Sequence, residues 1–166
     1  CIGSDPYYLT HKAEEYGYTP QLISSARKVN ENYPDWLAQK LVYRLAKNKV
    51  NLVDLPVLVL GFSFKENCPD IRNSKVVRLV TIMESLGFRV DICDYWVDPD
   101  IALREYNLKI TTEIPTNAQY GAIIAAVPHS KYLELSVSKW QSLLRPNGVI
   151  FDIKGIVPRE LNPIRP

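Results

Sequence analysis

Pro56-Val-Leu-Val-Leu-Gly-Phe-Ser-Phe-Lys-Glu-Asn-Cys-Pro-Asp-Ile-Arg-Asn-Ser74 is the stretch around which the chain is organised. Val57 to Leu60 is an apolar run without polar alternation, the pattern of a strand covered on both faces of a parallel sheet. The run ends at Gly61, and Lys65, Glu66, Asp70 and Arg72 follow before a helical pattern opens near Ser74. Charges in that position lie beyond the carboxyl end of a strand, where open α/β sheets bind their ligands. The stretch reads as a strand, a binding loop and the start of a helix.

Downstream, Val76, Val77, Leu79, Val80, Met83 and Leu86 share one broad helical face, and Gly87 is placed to end that helix. Phe88 to Ile92 is the second strand. A strand, helix, strand unit demands a right-handed crossover and a parallel pair. Asp94, just past the second strand, stands where a dinucleotide-binding unit places its ribose-binding acid. The first loop has one glycine where Gly-x-Gly-x-x-Gly would be needed, so the unit is Rossmann-like without the pyrophosphate fingerprint, and Asp94 reads as a turn or cap residue. Pro99 opens a short helix to about Tyr106, Leu108 to Ile110 is a marginal edge strand, and Gly121 to Val127 is the next buried strand. Short helices over Ser130 to Leu133 and Val137 to Leu144, a turn at Pro146-Asn147-Gly148 and a last strand from Val149 to Asp152 complete the pattern. Lys154 then falls on the same edge as Lys65 and Arg72. The proline-rich tail, Pro158 to Pro166, reads as a loosely held terminus.

Upstream, Asp5 and Pro6 read as cap and first residue of a short helix. Thr19-Pro20 repeats the signal, and an apolar stripe through Leu22, Ile23, Ala26, Val29, Trp36, Leu37, Leu41 and Leu45 predicts a long helix to about Asn48, kinked or split near Tyr33 by Pro34. A helix of roughly 45 Å exceeds what the remaining domain covers, so its stripe is expected to meet another helix or subunit.

With 166 residues, 46% hydrophobic and 23% charged, the chain has material for one ordinary core and a small appended element. The net charge of +2 and the scattered basic residues give no nucleic-acid surface, although a phosphate-bearing small ligand needs only two or three cations. No apolar run reaches the roughly 20 residues of a membrane span, and no secretory signal opens the chain, so a cytoplasmic location is expected. Three cysteines without metal-ligand spacing and two distant histidines, His11 and His129, predict reduced thiols and no metal. Cys68 and Cys93 read as buried apolar fillers. The chain begins at Cys1 as if inside a loop, which suggests a fragment.

Cys1-Ile-Gly-Ser-Asp5, the Gly61-Phe-Ser-Phe-Lys-Glu-Asn-Cys-Pro-Asp-Ile-Arg-Asn-Ser74 loop and Asp152-Ile-Lys-Gly155 together resemble the UDP-glucose/GDP-mannose dehydrogenase family of nucleotide-sugar 6-dehydrogenases, over essentially the whole chain. The resemblance implies an α/β fold with a Rossmann-like parallel sheet and helices on both faces, preceded by a long helical dimerisation segment. It divides the chain into residues 1–50, the end of the central helical dimerisation domain, and 51–166, a C-terminal UDP-sugar-binding domain. It further implies a cytoplasmic homodimer that uses NAD and oxidises a UDP-sugar to the uronic acid through a cysteine thioester, with the NAD-binding domain upstream of this chain.

By the same resemblance Cys1 matches the catalytic thiol and Asp5 the carboxylate that positions or activates water. A thiolate suits the task because it is a strong nucleophile near neutral pH and divides a four-electron oxidation into steps. Phe64 and Lys65 match residues that contact the UDP part of the substrate, with Lys154 on the same side, and Arg72 matches a residue reaching the NAD pyrophosphate, for which its guanidinium fork is suited. Lys154 stands where many UDP-glucose dehydrogenases have arginine, and Asn73 where they have glutamate, which makes the chain look more like the branch acting on UDP-N-acetylhexosamines for bacterial surface polysaccharides. The competing expectation is a non-catalytic nucleotide-sugar-binding and dimerisation module.

Overall fold

The computed structural model describes residues 3–116 and 118–166; Cys1 therefore lies outside the described residues. Two helices, α1 (Asp5–Glu15) and α2 (Gln21–Lys47), precede an alternating unit: β1 (Pro56–Leu60), α3 (Lys75–Ser85), β2 (Arg89–Cys93), α4 (Pro99–Tyr106), β3 (Ile110–Thr111), β4 (Tyr120–Ala125), α5 (Ser130–Leu133), α6 (Val137–Ser142) and β5 (Leu144–Asp152). The five strands form one parallel sheet in the order β3-β2-β1-β4-β5. The order reverses direction between β1 and β4, so the loops leaving those two strands flank the position where such sheets bind ligands.

The residues of β1 are all buried because the sheet has a hydrophobic layer on each face. Val57 and Val59 point into a core with Leu79, Val80 and Met83 of α3, Ala102 of α4 and Leu37, Leu41 and Leu45 of α2. Leu58 and Leu60 point the other way, onto Tyr132 of α5 and Trp140 of α6. Each such side chain removed from water contributes about 1.5–3 kcal/mol, so the double cover is what makes a continuous apolar strand stable. α3 ends as its sequence demands: Leu86 is the cap, Gly87 takes φ +86°, and the Phe88 N–H reaches back to the Met83 carbonyl.

α2 is one helix of 27 residues that continues through Pro34. Its second half belongs to the core, and the Asp35 carboxylate meets Arg78 of α3 at 2.8 Å. Its first half leaves Leu22 and Val29 exposed, with Tyr33 stacked on Trp36 at 5.6 Å. α1 lies against that half, where the Arg27 guanidinium covers the Tyr7 ring at 5.1 Å. Asp5 is not the cap of α1; Ser4 occupies that position without a side-chain hydrogen bond, and Asp5 is the first helical residue. The proline after it fills the second position, where a missing N–H costs nothing.

The tail corrects a second expectation. After a short 3₁₀ turn at Arg159–Leu161, Ile164 bridges Phe151, its N–H donating to the Ile150 carbonyl and its carbonyl accepting from the Asp152 N–H, both at 2.8 Å. Arg165 Nε then donates to the buried Asp152 carboxylate at 2.9 Å. Proline density suggested looseness, but two non-proline residues provide the attachment. β5 also starts earlier than the turn residues indicate, at Leu144, and takes up Pro146-Asn147-Gly148 as an irregularity in its pairing with β4, with Asn147 at φ +62°.

Arg165→Ala should lower the unfolding free energy by about 1–2 kcal/mol, the value of a charge-assisted hydrogen bond discounted for the partly exposed guanidinium. Urea denaturation at neutral pH measures it, and a change under 0.3 kcal/mol, on the order of measurement scatter, would mean that the Arg165–Asp152 pair contributes nothing to holding the tail.

Candidate functional site

Two buried aspartates, one at each of two strand ends, shape the rim at the carboxyl edge of the sheet. Asp94 follows β2 and is fully buried. Its Oδ2 accepts from the Phe62 N–H at 2.7 Å, the Ser63 N–H at 2.9 Å and His129 Nε2 at 2.9 Å, and its Oδ1 from the Trp96 and Val97 N–H groups at 2.8 and 3.2 Å. Burial pushes this carboxyl up, but the histidine and the backbone donors outweigh it and hold the group below its ordinary value. Asp152 ends β5 in the same way, taking the Ile156 and Val157 N–H groups at 2.9 and 3.2 Å and thereby closing the loop that carries Lys154. Asp94 thus has the turn function its position suggested, and it also fixes the loop that leaves β1.

That loop begins at a glycine for steric reasons. Gly61 has φ +92°, and a Cβ there would lie 2.4 Å from Val127 Cβ and 2.7 Å from the Val127 nitrogen, so the connections after β1 and β4 cross with no room for a side chain. Beyond Gly61 the chain alternates. Phe62 is buried edge-on against Tyr106 at 5.9 Å, Ser63 is buried, and Phe64 is 48% exposed. The Phe64 N–H donates to the Asp70 carbonyl at 2.7 Å, which folds residues 64–70 into a closed loop with Lys65 and Glu66 on its outside. Ser74 closes the far end, capping α3 through the Val76 N–H and donating its hydroxyl to the Phe62 carbonyl at 2.6 Å.

His129, between β4 and α5, fills the space between the two loops. The Asn67 N–H donates to its Nδ1 at 2.9 Å, which leaves the ring proton on Nε2, facing Asp94. Ser63 Oγ lies 3.3 Å from the same Nε2 and donates to the Lys65 carbonyl at 2.9 Å. Ser130 donates both its N–H and its hydroxyl to Asn67 Oδ1, at 3.1 and 3.0 Å. Asp94, His129, Asn67 and Ser63 were not among the residues singled out for the site; the cue for two of them was an isolated polar residue near the end of an apolar run, Asp94 directly after β2 and His129 four residues after β4.

Phe64 and Lys65 share this anchored loop, and Lys154 is exposed after β5, two strands away in the same sheet, or about 10 Å at ordinary strand spacing. Arg72, at the loop's far end, is exposed but engaged: its Nε and terminal nitrogen bind Asp70 at 3.0 and 2.7 Å. The guanidinium lowers the Asp70 carboxyl to about 2. Asp5 does not lie on the rim loops. Its helix is tied to them through Glu31 of α2, which pairs with Arg27 at 3.4 Å and with Lys75, the residue after Ser74, at 3.5 Å. The Tyr7 hydroxyl beside Glu31, against a lesser desolvation effect, and then Lys75 and Arg27 hold that carboxyl below its ordinary value. Cys93 is buried as expected, and burial raises its thiol to about 11, which removes it from consideration as a nucleophile. Cys68 is only half-buried, because it sits on the anchored loop and not beneath it. Among the described residues no cluster of three metal-ligating side chains occurs, and no helix is long and apolar enough to cross a membrane.

A group whose carboxyl is depressed in the folded state stabilises the fold above its ordinary value near 3.9, and that stabilisation is lost as the pH falls toward the folded value. Asp94→Asn should therefore cost about 2–4 kcal/mol at pH 7, and its stability should fall less steeply than wild type between pH 5 and 3. Urea titrations across that range check both; parallel curves would show that Asp94 does not titrate with unfolding.

Residues 58–159 match the UDP-glucose/GDP-mannose dehydrogenase family, UDP binding domain. A UDP-N-acetyl-D-glucosamine 6-dehydrogenase of Salmonella typhi is 37% identical over 165 residues, 99% of this chain and 39% of the relative. A protein of the same name from Pseudomonas aeruginosa is 35% identical over 165 residues, again 99% of this chain and 39% of the relative. This chain therefore spans about two fifths of the length of these relatives. Among solved structures, an NDP-N-acetyl-D-galactosaminuronic acid dehydrogenase from Methanosarcina mazei superposes with a TM-score of 0.84 at 20% identity, covering 97% of this chain and 35% of that one, a likeness of fold. A UDP-glucose dehydrogenase from Pyrobaculum islandicum gives 0.72 at 28% identity over 92% of this chain and 33% of that one. The anchored rim is the carboxyl edge of the matched domain, and the chain belongs to the UDP-glucose/GDP-mannose dehydrogenase family, of which it carries the UDP binding domain.

Proposed function

We propose that this chain is the C-terminal part of an NAD-dependent nucleotide-sugar 6-dehydrogenase that oxidises a UDP-N-acetylhexosamine to the corresponding uronic acid. The observation that carries the reading is the loop of Phe64 and Lys65, exposed at the carboxyl end of β1 and fastened from beneath by Asp94 and His129, within the matched domain. In this reading Phe64 offers an aromatic face to the nucleotide, while Lys65 and Lys154 approach the diphosphate from two connections. A lysine ammonium is a compact point charge that accommodates phosphate oxygens without a fixed orientation. The names of the two relatives support the N-acetylhexosamine substrate class.

The described residues do not form a cradle for NAD. The crevice between the ends of β1 and β4, where a dinucleotide would sit, is filled by the Gly61–Val127 crossing and by His129. The cofactor, which supplies hydride acceptance, belongs on a domain outside this chain, and Arg72 contributes a guanidinium toward its pyrophosphate once Asp70 shares or releases it. Cys1 is the proposed nucleophile. Its thiolate would add to the C6 aldehyde, and after hydride loss the resulting thioester would be cleaved by water that Asp5 positions. Residues 1–50 are proposed as the end of a helical dimerisation segment, supported by the exposed face of Leu22, Val29, Tyr33 and Trp36 on α2, and the active species as a cytoplasmic homodimer.

Calorimetry should detect UDP binding to this chain, and Lys65→Ala should weaken it by about 10- to 100-fold, equivalent to roughly 1.5–3 kcal/mol for one charge-assisted phosphate contact. Equal affinity in the variant would remove Lys65 from the site. The chain alone, mixed with NAD and UDP-N-acetylglucosamine, should produce no NADH by absorbance; measurable turnover would place the cofactor site within these residues.

A further inference from the structure

We infer that His129 is a positioning residue of the UDP site: its imidazole sets the height and orientation at which the loop presents Phe64 and Lys65. The inference rests on the reading of that loop as the UDP-binding surface. Between Phe64 and Cys68 the hydrogen bonds that leave the 64–70 loop go, among the described residues, to His129 and Ser130 and to the hydroxyl of the adjoining Ser63. His129 is fully buried, and neither of its nitrogens serves its own strand or helix. Nδ1 takes the Asn67 N–H, two residues beyond Lys65, while Nε2 is held by Asp94 and approached by Ser63, whose hydroxyl binds the Lys65 carbonyl. One planar ring thus touches the loop on both sides of Lys65 and refers its position to the end of β2. Any imidazole this deeply buried needs partners for both nitrogens; what distinguishes His129 is that one of those partners is the loop itself, at Asn67, while Tyr132, 5.5 Å away between centroids, supplies the packing.

The two functions of the ring separate chemically. An asparagine at position 129 places an amide oxygen where Nδ1 lies and retains the acceptor for Asn67, losing the donor to Asp94. A glutamine places an amide N–H where Nε2 lies and retains the donor, losing the acceptor. His129→Gln should therefore melt close to wild type, exchange its Asn67 amide hydrogen at least tenfold faster, and bind UDP about three- to tenfold more weakly, the loss expected of one neutral hydrogen bond. His129→Asn should melt lower yet keep Asn67 protection and bind UDP within about twofold of wild type, since the loop contact survives.

Exchange by nuclear magnetic resonance and UDP titration by calorimetry, both on this chain, read these quantities. Wild-type UDP affinity and unchanged Asn67 protection in the glutamine variant would overturn the inference, as would an asparagine variant that loses affinity as much as the glutamine variant. If wild type itself does not bind UDP, the functional reading falls while the Asn67 exchange pattern still decides whether His129 holds the loop. If neither variant folds, the imidazole ¹⁵N spectrum of the wild-type chain decides. A His129 Nδ1 that is unprotonated and shifts on UDP addition supports the positioning function, and one that does not respond refutes it.

Discussion

A single buried carboxylate holds the rim together. Asp94 collects donors from the connection after β1, from its own turn and from the histidine after β4, so three chain segments meet at two oxygen atoms. An ionised carboxylate away from water is costly unless its lone pairs are filled, and here backbone N–H groups do most of the filling. No substitution short of proline removes a backbone donor, which leaves the side chains of residues 62, 63, 96 and 97 free to serve packing while their amides serve the anion. Asp152 repeats the arrangement at β5 with a guanidinium in place of the imidazole.

This arrangement accounts for the absence of a glycine-rich fingerprint. A dinucleotide-binding sheet leaves its switch point open and lines it with backbone that a pyrophosphate can approach. In this domain the same point is closed by protein, with Gly61 against Val127 and His129 in the remaining space. In the proposed reading the ligand surface is thereby moved outward from the sheet onto the loop. The proposed recognition by a lysine and an aromatic ring on a braced loop would require no special backbone conformation at the phosphate, so one glycine, serving the chain crossing, would be sufficient.

The sheet was legible because its signals are local. A continuous apolar run, a serine cap and a glycine stop define β1 and α3, and each is where the residue types required. The anchors were not legible. Asp94 and His129 are 35 residues apart in sequence, and nothing in either neighbourhood signals that their side chains meet at 2.9 Å. The same limitation explains the tail, where prolines dominated the reading while Ile164 and Arg165 made the contacts, and the Asp5 cap, where a residue favourable at two adjacent helix positions was assigned to the wrong one. The exposed placement of Lys65 and Lys154 on loops after apolar strands was legible because it depends only on which strand each follows.

The return of the tail to β5 has a consequence for how this protein meets others. An open parallel sheet normally offers two unpaired borders, each a template for strand addition and aggregation. One border here is β3, only two residues long, and the other is occupied by Ile164 across from Phe151. Among the described residues the tail thus covers β5 only at its carboxyl end, around Phe151, while the exposed stretch at the start of β5 has no such bridge. The first half of α2 carries a different kind of surface, an exposed apolar face of Leu22, Val29, Tyr33 and Trp36 that offers side chains and not backbone to a partner.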